Sequence, residues 1–272
     1  MNTHVTTIEA AYTKAADTLG ISPEWDKALT ATMKRRDAAV ALFEMKPRDA
    51  AAELAAAPNP RTWDSIITDI ANHNAKVDVA TTAIRGRLLT VTQAQLDAQL
   101  KAFLPQYADQ AHETVSGILA ALTDTAAHVP TMSAEAAVRA GYGDRLSDFH
   151  QHAHLVRQHA TIGATVAPGG KVAQAAQALA LVVDPGRIDP IKKTPASRWN
   201  QGGETRSNAA DLARRDEARR LMTDWHRDET ETLRKLARGE YAGFDLSAAT
   251  SDDYAHRVTQ FENADRIEVV AD

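Results

Sequence analysis

The 272-residue sequence contains no cysteine. Disulfide bonds, thiolate metal ligands and cysteine nucleophiles are therefore excluded by composition alone. This absence narrows the chemistry available to the chain, but it is compatible with any cellular compartment.

Aromatic residues are also scarce: they make up 5% of the chain, although 44% of its residues are hydrophobic. The interior must therefore be filled mainly by Ala, Leu, Val and Ile, which pack closely between helices and leave little room for a deep ligand cavity. This composition favours an all-α fold.

Long apolar runs are missing as well. The longest, Ala178 to Val183, is too short to span a bilayer, and the first residues lack the basic and apolar regions of a secretory signal. We therefore expect no membrane partner and a protein that is cytoplasmic, or assembled into a virion made in a bacterial cytoplasm. The abundance of alanine and the preference for arginine over lysine are typical of high-GC bacteria and their phages.

A strong excess of either charge is absent too. The 31 basic and 36 acidic residues give a net charge of −5 and are interspersed along the chain. Such a balance is typical of a solvated surface and does not by itself indicate a nucleic-acid partner.

The clearest positive pattern lies between Pro60 and Leu88. Large or seam-type residues recur there in alternating steps of four and three, at Trp63, Ile67, Ile70, Asn74, Val77, Thr81, Ile84 and Leu88. This repeat predicts one long helix with a coiled-coil-like seam, around which the other helices pack. Asn74, the polar residue in that seam, is expected to set the helix register.

Apolar residues three and four apart predict further helices on both sides of this segment. The helix starts are expected at cap residues, among them Ser22, Thr92, Asp144 and Thr250, and Pro105 is expected to kink or restart a helix. Residues 1–183 are thus predicted to form an elongated multi-helix bundle.

The composition changes at residues 184–206, which are rich in proline and glycine and predict an extended arm or linker. Residues 207–272 then predict a long, highly charged helix followed by a short C-terminal helix. A large aromatic side chain in such an arm has no local core to enter. We therefore expect a partner-binding segment around it, formed by Trp199, Arg198, Lys192, Lys193 and Ile191.

Four histidines are concentrated at His150, His152, His154 and His159. On a helix His150 and His154 are four residues apart, a spacing that can hold a divalent ion, and several close imidazoles can respond to pH. The segment lacks the glutamate of an HExxH motif. A metal site, a pH-sensing face and a purely structural helix flank therefore remain open.

These observations favour a non-enzymatic structural or assembly protein that requires no cofactor. It would act through helix faces and the arm, on protein partners that include copies of itself, plausibly in a phage particle or other large complex. The alternative is a regulatory or nucleic-acid-associated protein that uses the Arg-rich helix at 207–240. In that helix Arg214, Arg215, Arg219 and Arg220 alternate with acidic residues.

Overall fold

A computed structural model describes residues 6–57, 59–79, 82–193 and 207–269. The predicted all-α class is confirmed, since most of these residues are helical. The described residues form eleven α-helices: α1 (Thr7–Leu19), α2 (Lys27–Glu44), α3 (Ala50–Ala56), α4 (Trp63–Val79), α5 (Thr82–Ala127), α6 (Ala134–Ala140), α7 (Gly143–Val166), α8 (Lys171–Ala180), α9 (Ala209–Arg227), α10 (Glu229–Ala237) and α11 (Ser251–Asn263). A 3-10 turn, Pro60–Thr62, precedes α4.

Four very short strands complete the described structure: β1 (Val183–Asp184), β2 (Ile191–Lys193), β3 (Asp245–Leu246) and β4 (Ile267–Val269). β1 pairs with β3 in antiparallel orientation, and β2 pairs with β4 in parallel orientation. β4 follows α11, the last helix of the described chain.

The chain forms two compact units. Unit 1 contains Thr6 and the described part of residues 25–100, whereas unit 2 contains residues 7–24 and the described part of 101–272. The long helix α5 contributes its first part to unit 1 and its second part to unit 2. The expected order of bundle, arm and charged helix stays a prediction.

α2 begins at Lys27 and not at the predicted cap Ser22. Asp26 caps it, because its side chain accepts a hydrogen bond from the backbone N–H of Leu29 at 2.7 Å. Just before this cap, the Gln110 side chain pairs with both the N–H and the C=O of Glu24, at 3.0 and 3.3 Å. That pairing holds residue 24 outside a helix.

Most of the helix predicted from Pro60 to Leu88 is helical, in α4 and in the first turns of α5. Residues 80 and 81, which lie between these two elements, are outside the described residues, so a single continuous helix stays a prediction. The side chain of Asn74 does not lie unpaired in an open helix seam. Its amide accepts from the Arg48 N–H at 2.8 Å and donates to the Arg48 C=O at 3.0 Å. Both polar atoms of the side chain are thus used to hold the loop before α3.

α5 is continuous through two predicted interruptions. Thr92 does not cap a new helix, since its hydroxyl donates to the carbonyls of Leu88 and Leu89 in the preceding turn, both at 3.0 Å. Pro105 lies inside the helix, where it removes one backbone donor but does not end the element.

The core of unit 2 is built around Tyr12 of α1. Its ring lies 5.9 Å from that of Phe103 and 5.1 Å from that of Tyr107, both in edge-to-face geometry. The inner face of α7 carries five buried residues at steps of three and four: Leu146, Phe149, Ala153, Val156 and Ala160. The predicted cap Asp144 is wrong, because α7 already begins at Gly143.

The extended arm is not confirmed in its described part, residues 184–193. Ile188 is only 1% exposed. Its N–H donates to the Gln260 side chain at 2.7 Å, and its C=O accepts from the Asn263 side chain at 2.9 Å. Side-chain amides of α11 therefore satisfy the backbone of the irregular, proline- and glycine-containing residues between β1 and β2.

The charged segment predicted as one helix is divided at Asp228, which ends α9 and caps α10 by accepting from the Glu231 N–H at 3.0 Å. The predicted start of the last helix is confirmed. Thr250 and Asp253 form a reciprocal capping box at the beginning of α11.

Candidate interaction surface

Unit 1 buries few large side chains for its length. α4 buries only Ile70 and Val77 among its described side chains, and α3 buries none. The apolar periodicity of this part of the chain is therefore only partly used to form a core.

Large apolar side chains are correspondingly exposed in unit 1. Six of the nine exposed ones in the described chain belong to it: Phe43 (38%), Trp63 (41%), Ile67 (46%), Ile84 (58%), Leu88 (42%) and Val91 (46%). Scattered exposed apolar residues are normal, but a concentration on neighbouring turns of the same helices is typical of an interaction surface.

Five of these side chains form two stripes. Ile84, Leu88 and Val91, here named the α5 stripe, follow one another at steps of four and three, so they share one face of α5. Trp63 and Ile67, here named the α4 stripe, are four residues apart on the first turns of α4. The α4 stripe lies on the same helical face as the buried Ile70.

Arg85 holds the other side of α5 against unit 1. Its guanidinium donates to the C=O of Met45 at 3.0 Å and to the C=O of Val77 at 2.7 Å, where α2 and α4 end. Leu89, four residues further on, is 7% exposed. This anchoring leaves the α5 stripe on the uncovered part of the helix.

Opposite charges border the two stripes. Asp64 lies beside the α4 stripe, and Arg87 lies beside the α5 stripe; both are exposed. Neither forms a salt bridge with another residue of the described chain. Each is thus available to a partner.

The histidine cluster does not converge on one point. His150 and His154 are exposed on α7, whereas His159 is buried and its ring stacks on Tyr107 at 5.8 Å. Burial lowers the pKa of His159 to about 4. Within the described ranges, no three or more His, Asp or Glu side chains are arranged to hold a metal ion.

Of the predicted partner-binding residues, Ile191, Lys192 and Lys193 form β2 and pair with β4. The Lys192 N–H, on this strand, donates to the hydroxyl of Ser207 at 3.1 Å. Arg198 and Trp199 lie outside the described residues. The role of this segment in binding stays a prediction.

Two arginines of the predicted basic stripe bind backbone carbonyls in unit 2. Arg215, 1% exposed, donates to the C=O of Ala264 at 2.5 Å and to that of Asp189 at 3.2 Å. Arg214 donates to the C=O of Gly243 at 2.5 Å. These guanidinium groups hold irregular segments together.

The other two arginines of the stripe pair with carboxylates. Arg219 contacts Asp265 at 2.7 Å, and Arg220 contacts Glu217 at 3.2 Å while lying 5.0 Å above the ring of Tyr241. A nucleic-acid phosphate would therefore have to compete with existing protein partners at each of the four arginines.

Clefts also lie in the described part of unit 2. One, of about 580 Å³, lies between α5 and the β3 segment and is lined by small residues such as Ser116 and Ala120. Another, of about 320 Å³, surrounds the junction of α9 and α10, where Arg157 and Glu229 form an ion pair at 2.5 Å. The charged groups at this junction thus stabilise the packing of α7 on α10.

Only some residues of the two stripes could be predicted from the sequence. The repeat contained Trp63, Ile67, Ile84 and Leu88, but it placed them inside a seam. Val91 and the bordering Asp64 and Arg87 were missed. A helical wheel would have placed Val91 beside Ile84, whereas no local signal distinguishes the covered face of α5 from the open one.

No protein-family model matches the chain, and neither curated proteins nor solved structures give a match. None of the helices in the described chain combines the length and the apolar character needed to cross a membrane.

Proposed function

We propose that the chain is a non-enzymatic structural or assembly protein, a component of a phage particle or another large complex, that binds protein partners through exposed helix faces. The observation that supports this proposal is the pair of open apolar stripes on α4 and α5. Helix faces with apolar residues at steps of three and four are recognised by complementary grooves or helices.

The stripes provide a moderate driving force. Complete burial of a side chain of this size stabilises a complex by roughly 1.5–3 kcal/mol, so each half-exposed residue contributes roughly half of that. Association costs about 4–15 kcal/mol in lost freedom of motion. Five such residues together contribute roughly 4–7.5 kcal/mol, which reaches only the lower part of this cost. A protein with stripes of this size is therefore expected to assemble through several contacts at once.

The segment containing Lys192, Lys193, Arg198 and Trp199 is a second part of the proposal. An aromatic side chain beside basic ones is the composition expected at an interface hot spot. The segment would add contacts to those of the stripes.

The test compares Leu88→Glu with the matched control Val138→Glu. Leu88 belongs to the α5 stripe, whereas Val138 is 74% exposed on α6 and belongs to no stripe. Each tagged chain is produced in its own host, the mass of the purified species is measured by light scattering, and the proteins that accompany it are identified by mass spectrometry.

We expect the wild type and Val138→Glu to occur in a species larger than the 29.4 kDa chain, and Leu88→Glu to be released from it. A wild-type chain that is monomeric and unaccompanied would contradict the proposal. Equal loss in the two variants would show that the stripes are not the binding surface.

A further inference from the structure

The two stripes of unit 1 have complementary surroundings. Residues 63–70 contain two acidic side chains, Asp64 and Asp69, and no basic one. Residues 84–91 contain two basic side chains, Arg85 and Arg87, and no acidic one. Of these residues Asp64 lies beside the α4 stripe and Arg87 beside the α5 stripe, whereas Arg85 binds backbone carbonyls on the other side of α5. Asp64 therefore gives the α4 stripe an acidic border, and Arg87 gives the α5 stripe a basic border.

The apolar side chains of the α4 stripe and the α5 stripe are also suited to pack against each other. The α4 stripe offers one large aromatic and one branched aliphatic side chain, and the α5 stripe offers three aliphatic ones. An indole on a row of aliphatic side chains buries much area without introducing an unpaired charge. The indole N–H can remain at the edge of such a contact.

From these features we propose that the partner of the stripes is a second copy of this chain, with the α4 stripe of one copy on the α5 stripe of the other. This inference rests on the proposed function and specifies its partner. In a two-fold dimer each contact occurs twice, so Asp64 of each copy meets Arg87 of the other.

Pairing of identical stripes is less favourable. Two α5 stripes face to face would bring Arg87 close to its own counterpart, and two α4 stripes would do the same with Asp64. Like charges at an interface are strongly unfavourable, whereas complementary ones direct the pairing. Pairing of the α4 stripe of one copy with the α5 stripe of the other is the arrangement that places Asp64 and Arg87 next to opposite charges.

The test is a charge exchange in the full chain. Arg87→Glu, Asp64→Lys and the double variant are compared with the wild type by analytical ultracentrifugation over a wide concentration range. Both positions are exposed, and neither has a salt-bridge partner in the described chain, so the helices should keep their stability; circular dichroism melting checks this.

We expect a wild-type dimer, a dissociation constant raised by roughly tenfold or more in each single variant, and recovery in the double variant. A monomeric wild type, a dimer indifferent to both single reversals, or a double variant that does not recover would overturn the inference, as would an open series of larger species.

The two proposals can fail separately. A monomeric wild type that still loses a different accompanying protein on Leu88→Glu would overturn self-pairing and leave the assembly function standing. A wild type with neither self-association nor such a protein would overturn both.

Discussion

Asn74 illustrates how one polar side chain can have two opposite effects on stability. In an open seam, its replacement by leucine would raise stability. In the structure its amide makes two hydrogen bonds to the backbone of Arg48. Asn74→Leu should therefore lower the free energy of unfolding by roughly 1–3 kcal/mol, because the N–H and C=O of Arg48 lose their partner.

Asn72→Leu is the matched control, since Asn72 is exposed on the same helix. Urea unfolding measures the free energy of unfolding of the two variants. If Asn74→Leu were as stable as the control or more so, the loop contact would be energetically unimportant.

His159 should make stability depend on pH. Burial lowers its pKa to about 4 from the ordinary 6.5, so the unfolded chain takes up a proton at a higher pH than the folded chain. The contribution of neutral His159 to the free energy of unfolding is therefore complete above pH 6.5, and it is lost as the pH falls towards 4. At about 1.4 kcal/mol per pKa unit, it amounts to at most about 3–4 kcal/mol.

His159→Phe keeps a ring against Tyr107 and removes the titrating group. Its free energy of unfolding should therefore vary less between pH 4 and 6.5 than that of the wild type. His154→Phe, an exposed change on the same helix, is the matched control. Denaturant unfolding at a series of pH values measures both, and an unchanged slope in His159→Phe would count against this role.

At the scale of elements, α7 and α8 approach closely at Gly163. A Cβ atom at this position would lie 2.4 Å from the backbone oxygen of Gln177. Because backbone cannot rotate away as a side chain can, Gly163→Ala should force the helices apart and cost about 1–3 kcal/mol of stability.

Gly117→Ala provides the opposite case. A Cβ at Gly117 of α5 would meet nothing within 4 Å. There the higher helix propensity of alanine should stabilise the protein by up to about 1 kcal/mol. Thermal melting of the two variants is the measurement, and shifts of the same sign would refute the close approach of α7 and α8.

Arg215 links α9 to the segments that follow α8 and α11. Arg215→Met keeps a long side chain but leaves the carbonyls of Asp189 and Ala264 without this donor. We expect a loss of roughly 2–4 kcal/mol, because these contacts are buried. Arg219→Met, which removes an ion pair that is about half exposed, should cost less than about 1 kcal/mol.

Denaturant unfolding compares the two arginine variants. Equal losses would mean that the carbonyl contacts of Arg215 contribute no more than an ordinary surface ion pair. A large loss in Arg215→Met alone would explain why a proline- and glycine-containing segment is held in place.

At the scale of the whole molecule, a substitution of Trp199 distinguishes an effect on assembly from an effect on folding. If Trp199 is a binding hot spot, Trp199→Ala should weaken assembly by roughly thirtyfold, equivalent to about 2 kcal/mol, with little change in the melting temperature of the isolated chain. Trp225→Ala is the contrast, since Trp225 is 4% exposed in α9 and should lower the melting temperature strongly.

The measurement pairs melting of each isolated variant with its incorporation into the complex. If Trp199→Ala lowered the melting temperature as Trp225→Ala does, Trp199 would belong to the core of its own chain. The predicted binding role of the segment would then be wrong.

Local signals in the sequence were sufficient for most helices. The helix start expected at Thr250 agrees with the structure, and the buried residues of α7 show the three-and-four spacing from which further helices were predicted. These features depend on residues three or four apart, so they are encoded in each segment. The absence of cysteine and the scarcity of aromatic residues likewise determined what the core could contain.

Only the tertiary structure decided which faces are covered. One continuous repeat contains the buried Ile70 and the exposed Ile67. Their burial depends on what distant segments lie opposite, and periodicity carries no information about that. For the same reason the side chains of Asn74 and Arg215 find their partners among distant backbone groups, and the backbone of Ile188 finds its partners among distant side chains. The open stripes of α4 and α5 likewise became visible only once the covered faces were known.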